Sequence, residues 1–193
     1  MTLVHRLLTL FLYGLGVVFT AGLVHLVSVF AMPQLAPHDA FARLSALAKS
    51  NQPSLLPRAL PGQELTPFED PALAQAVCLF DLAQGSLRVR ATLAYDELLT
   101  LSFRSRTGRV FYAMTDKAAV RGKIDIRVLT AEQLDAVQAE DDEDNPPQEL
   151  RLVAPQTKGF VLIDALAPHP SERAAAEARA LSVNCAPEAI AQN

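Results

Sequence analysis

Few residues in this chain are able to do chemistry. There are four histidines, His5, His25, His38 and His169, and two cysteines, Cys78 and Cys185. A zinc site or a His-dependent triad needs its partners clustered. Here His5 precedes a long apolar run, His25 lies inside it, and the other two stand far apart beside prolines. No nucleophile elbow, metalloprotease helix motif, phosphate loop or dinucleotide fingerprint occurs. These spacings supply no catalytic residue, metal-ligand set or cofactor site.

Cys78 sits in the apolar segment "AVCLF". A nucleophilic cysteine needs exposure and a lowered pKa, so this setting favours a structural role. Both cysteines follow the apolar run, and an even pair on one side is what an oxidising compartment joins as a disulfide. A Cys78–Cys185 bridge is therefore expected, with two buried free thiols as the alternative. Closing a loop of about a hundred residues is worth roughly 4–5 kcal/mol in the chain-entropy account.

The charges are unevenly placed. Arg88–Arg127 holds nine Lys or Arg against four acids, whereas Ala131–Glu149 holds eight acids and no base. The run Glu140–Asp144, "EDDED", lacks the spaced oxygen ligands and turning glycine of a calcium loop. It reads as a solvated hairpin loop. The basic strands are placed to attract anionic headgroups or to accept that loop. Arg88, Arg90, Arg104 and Tyr112 are the candidate pocket residues. A net charge of −4 argues against nucleic acid as a partner.

The elements that position these residues begin with Leu7–Ala31, 25 residues without Asp, Glu, Lys or Arg. A bilayer core of ~30 Å needs roughly 20 apolar residues as a helix. A cleaved signal peptide has an apolar region of only about 7–15 residues, so an uncleaved anchor is the reading, despite the cleavage-like Val29-Phe30-Ala31. Lys and Arg are nearly balanced at the two ends of the run, so orientation rests on the cysteines. Residues 1–6 are read as cytoplasmic, 7–31 as the transmembrane helix and the domain after it as exported. At helical spacing Gly14, Val18, Ala21, His25 and Ser28 share one stripe. Small residues let a second helix approach, and a titratable group in lipid usually faces protein. The plain alternative puts His25 at the headgroups.

Residues 32–71 are read as a linking region. Asp39 caps a short amphipathic helix over Asp39–Lys49, which lies on the membrane or packs on the domain. Pro53, Pro57, Pro61 and Pro67 make residues 50–67 an extended tether. Residues 72–186 form the β-rich domain. "LAQAVCLFDL", "SLRVRATL", "LLTLSFR", "RVFYAM", "KIDIRVLT", "ELRLVA" and "GFVLIDAL" are its strands. Gly108 turns one hairpin, Thr130 opens a short helix, and Ser171 caps "SERAAAEARAL". The fold expected is mainly β with α: an antiparallel sandwich or open barrel, a C-terminal helix and a disordered tail at 187–193.

Two segments carry a resemblance. "DPALAQAVCLFDLAQGSLRVRA", with its D-L-x-x-G turn at Asp81–Gly85, and "LSFRSRTGRVFYAMTDKAA", with Phe111-Tyr112 beside a turn, resemble the bacterial families called domain of unknown function 1254 and its companion 1214. The whole chain looks like a short one-helix membrane relative from alphaproteobacteria. That resemblance implies a sandwich-like fold, an inner-membrane anchor, a periplasmic domain and a membrane partner bearing the companion domain. It implies no activity. The expectation is a membrane-anchored interaction or ligand-binding module. The competing expectation is an envelope enzyme acting on a small or lipid-like substrate.

Overall fold

The computed structural model describes residues 3–35, 39–58, 60, 70–93, 98–141 and 147–190. The chain divides into two units, residues 1–37 and 38–193.

The first unit is one helix, α1 (Leu3–Leu35). Its stretch Leu3–Met32 is long and apolar enough to cross a membrane. The helix extends the expected 7–31 span at both ends and runs through Pro33 to Leu35.

The second unit is a two-sheet sandwich. In chain order it contains α2 (Ala40–Ser45), β1 (Ser54–Leu55), β2 (Leu73–Asp81), β3 (Ser86–Thr92), β4 (Leu99–Ser105), β5 (Val110–Thr115) and β6 (Lys123–Leu129). There follow α3 (Ala131–Ala139), β7 (Leu150–Val153), β8 (Lys158–Leu166), α4 (Arg173–Leu181) and β9 (Asn184–Glu188). One sheet runs β1-β2-β8-β4-β5 and the other β7-β6-β3-β9. All pairs are antiparallel except β6–β7. That parallel pair is reached through α3, since parallel neighbours need a crossover.

Side-chain alternation builds the core. Cys78 and Phe80 of β2, Leu101 and Phe103 of β4, and Val161 and Ile163 of β8 face Leu87 and Val89 of β3, Ile126 and Val128 of β6, and Cys185 of β9. Each fully buried large apolar side chain stabilises by about 1.5–3 kcal/mol. α4 lays Ala176 and Ala180 against Ala74, Ala165 and Ala167, small residues that admit a close helix. Arg173 Nη1 donates to the carbonyls of Pro71 (3.1 Å) and Leu73 (2.9 Å), which ties α4 to the start of β2.

The sheet's other face holds a second cluster: Val77, Leu79, Phe160 and Leu162 under Leu44 and Leu56. This corrects the reading of residues 50–67 as a tether. Ser54–Leu55 pairs with Val77 and Ala76, and Leu56 N donates to Gln75 O at 2.9 Å. The prolines at 53 and 57 bound a strand too short to need their missing N–H groups. Residues 61–67 lie outside the described residues. Of the two placements open to the amphipathic helix, packing on the domain is observed. Asp39 caps it as expected, accepting from Ala42 N at 2.8 Å.

Three further expectations change. Among the described strands only β1–β2, β4–β5 and β6–β7 pair sequential neighbours, the last in parallel through α3; the other connections between strands cross from sheet to sheet. Pro170–Glu172 is a 3₁₀ turn, so α4 starts at Arg173 and Ser171 is not its cap. Residues 187–188 belong to β9, held on β3 by the Ser86–Glu188 pairing, and are not tail; residues 191–193 lie outside the described residues. Thr130 does open α3, through a reciprocal capping box with Gln133, and Gly108 takes positive φ (92°) in the β4–β5 turn.

Candidate functional site

The outer face of the four-stranded sheet carries the densest chemistry. On β3 the inward Leu87, Val89 and Ala91 alternate with outward Arg88 and Arg90; on β6, Ile124, Ile126 and Val128 alternate with Asp125 and Arg127. Register then sets Arg88 opposite Arg127, and Arg127 opposite Arg151 of β7. Three guanidinium groups thus stand in one row across three strands, an arrangement that opposes folding unless anions interleave.

Glu149 supplies the central anion. Its side chain is only 5% exposed and lies 2.6 Å from Arg88 Nη1, 3.0 Å from Arg151 Nε and 3.8 Å from Arg127 Nη1. Asp125 takes Arg88 in a two-pronged grip, at 2.7 Å to Nε and 2.8 Å to Nη2. Asp141 grips Arg151 at 2.6 and 2.7 Å, and Glu188 of β9 reaches Arg88 and Arg127 at 3.2 and 3.6 Å. Arg90 joins through Asp125 at 3.4 Å. Arg88 and Arg127 of the basic strands pair with Glu149, which follows the acidic run, whereas Asp141 of the run pairs with Arg151 of β7. Residues 142–146 lie outside the described residues.

The ion pairs hold these groups in their charged forms. The hydrogen bond from Arg88 holds the Asp125 carboxyl below the usual range, and Arg151 does the same for Asp141. Asp125 in turn raises the Arg88 pKa, and Asp141 that of Arg151. A recess of about 390 Å³ lies among these residues, but each lining arginine already faces a carboxylate.

The candidate pocket residues do not converge. Arg88 and Arg90 share Asp125 on this face. Arg104 lies on the outer face of the five-stranded sheet, its Nε donating to Ser102 Oγ at 3.1 Å. There it also attracts Asp164, whose carboxyl is pushed up by burial while Gln75 Nε2 donates to it at 2.7 Å. Tyr112 packs on Phe103, with ring centroids 6.1 Å apart. A 560 Å³ recess at the end of the sandwich holds the Ser105 and Thr107 hydroxyls 3.1 Å apart, with Arg109 and Phe111 in its walls and no histidine or carboxylate as base.

Cys78 and Cys185 are brought together from opposite sheets, both buried. The thiols are free, and the neighbouring Cys185 thiol together with burial pushes the Cys78 thiol up. No S–S bond is present. On α1, Ala21, His25 and Ser28 line a shallow groove with Gly16 and Thr20; Gly14 does not line it. His169 is exposed, and His38 lies outside the described residues. Among the described residues no cluster of His, Cys, Asp and Glu is able to hold a metal.

Asp125, Arg127, Glu149 and Arg151 were not singled out by sequence. Their period-two spacing marks them as outward, but only sheet order makes them neighbours.

Fold and site together define a class: a β-sandwich with a buried apolar core and an ion-paired outer face on its four-stranded sheet, in a chain that also carries a membrane-length helix. No protein-family model matches the chain, and no curated protein sequence does. Its fold is similar to that of the VPA0106 protein from Vibrio parahaemolyticus, with a TM-score of 0.52 and 9% identity over 80% of this chain. A putative uncharacterized protein from Burkholderia cenocepacia aligns with a TM-score of 0.46 and 10% identity, again over 80% of this chain. The chain spans 38% and 42% of the length of those two proteins.

Proposed function

We propose that this chain is a membrane-anchored interaction module of the bacterial envelope. In this reading the N-terminus is cytoplasmic, α1 spans the inner membrane once, and the sandwich lies in the periplasm beside a membrane partner. One observation carries the reading: a membrane-length helix precedes a domain whose core is filled and whose convergent charged groups already satisfy one another. Such a surface suits contact more than turnover. The resemblance stated above motivates the identity of the partner, a membrane protein bearing the companion domain. That the fold occupies well under half of a solved neighbour is compatible with a module that works beside further mass.

An oxidising compartment gives the facing cysteines a use, as an inter-sheet disulfide formed after export. The test joins both points. A C-terminal alkaline phosphatase fusion should be active, the chain should resist carbonate extraction, and alkylation of freshly lysed cells should leave Cys78 and Cys185 unlabelled until reduction. An inactive fusion or a carbonate-soluble chain overturns the anchored topology. Full labelling without reduction in denaturant overturns the bridge.

A further inference from the structure

The four edges of the two sheets are not alike. β1 is two residues long. β7 has four residues, and its Arg151 is bound in ion pairs. β9 carries Pro187, which has no N–H to offer a neighbour. Short length, edge charge and proline are the usual means of blunting a sheet edge. β5 has none of them. It is six residues long, Val110-Phe111-Tyr112-Ala113-Met114-Thr115, without charge, proline or glycine. It pairs with β4 on one side, and among the described residues no strand covers the other. Its one irregularity, a register shift at Phe103/Arg104, falls near Val110 and leaves Tyr112–Thr115 regular. Such an edge presents N–H and C=O groups from every second residue, a template for another strand.

We propose that β5 is a dimerisation strand, which adds antiparallel to β5 of a second copy about a two-fold axis at Ala113. Four features favour a second copy. Centring the pair on Ala113 sets Tyr112 opposite the partner's Met114, so inward side chains meet inward ones and the sandwich faces stay aligned. No like charges are opposed, because the strand has none. The pairing is also isologous and uses the one unblunted edge, so assembly closes at two copies and does not propagate. A shared membrane-length helix confines copies to one plane and raises their effective concentration.

The experiment is crosslinking of the full chain in native membranes. The native cysteines are 0% and 5% exposed and do not compete. Directly opposed Cα atoms in an antiparallel pair lie about 4.5–5.5 Å apart, so Ala113→Cys should give a disulfide-linked dimer under mild oxidation. Val153→Cys, on the β7 edge with Val153 46% exposed, should crosslink at least an order of magnitude more slowly. Light scattering in detergent then compares the unaltered chain with Ala113→Lys, which opposes two ammonium groups at the axis. The mass should fall from dimer to monomer with an unchanged far-UV spectrum. Equal crosslinking of the two cysteine variants, a monomeric unaltered chain, or a dimer that survives Ala113→Lys overturns the proposal. So does an Ala113→Cys adduct with an unlike protein.

Discussion

Glu149 shows how one side chain decides what a surface is for. Three arginines converge on a carboxylate that is 5% exposed. Removing one partner from a buried ion cluster leaves uncompensated charge, typically at 3–5 kcal/mol. Glu149→Ala should therefore lower unfolding stability by about 3 kcal/mol, read by denaturant titration of the full chain in detergent. Glu149→Gln should recover part of that loss through its amide oxygen. A loss below that of an ordinary surface pair, about 0.5 kcal/mol, would show that the arginines find other partners. The charge of Arg88 is answered within the fold by Glu149 and Asp125, and that of Arg90 by Asp125.

At the scale of the element, most strands were legible from period-two alternation. The segments around Leu73–Asp81, Ser86–Thr92 and Lys158–Leu166 fall where sequence put them, because one apolar face must be buried whichever strand lies alongside. β9 was missed: "NCAPE" is short and contains proline, and it is a strand only because β3 offers it a ladder. Pairing also makes demands invisible in one strand alone. Gly159 of β8 lies between β2 and β4, and a Cβ there would fall 2.5 Å from Phe80 Cζ and closer than van der Waals contact to the Arg104 carbonyl. Backbone cannot yield cheaply on one side while a buried ring blocks the other. Gly159→Ala should cost about 2–3 kcal/mol, measurable as a lowered denaturation midpoint with unchanged slope. A neutral effect would mean that β8 is free to shift between its neighbours.

At the scale of the whole molecule, two partly buried carboxylates give the sandwich opposing responses to pH. Asp125 has its pKa lowered chiefly by the Arg88 hydrogen bond. Its stabilisation is present above the unfolded pKa of about 3.9 and is lost as pH falls through the lower folded value. Asp164 has its pKa raised, burial being the largest cause. Its contribution is full below the unfolded value and is lost as pH rises through the folded one. Asp164→Asn keeps an oxygen for the Gln75 donor and removes the buried charge. Its melting temperature should equal or exceed that of the unaltered chain at pH 7, with the advantage vanishing near pH 3. A destabilised variant at pH 7 would mean that attraction to Arg104 outweighs desolvation.

The sequence by itself determined the membrane-length helix, the alternating strands, the Thr130 cap and the Gly108 turn. Each follows from interactions within a few residues: an uncharged run long enough to span lipid, one apolar face per strand, a hydroxyl aimed at a free N–H. Tertiary structure decided which strands are neighbours. It placed Arg88, Arg127 and Arg151 in one row, dispersed Arg104 and Tyr112, and folded residues 39–56 onto the sheet as a second core layer. It also carried Cys185 across the sandwich to Cys78 on a strand that sequence did not show. Those outcomes depend on packing between segments as many as a hundred residues apart, and period-two alternation fixes a strand's faces while leaving its neighbours open.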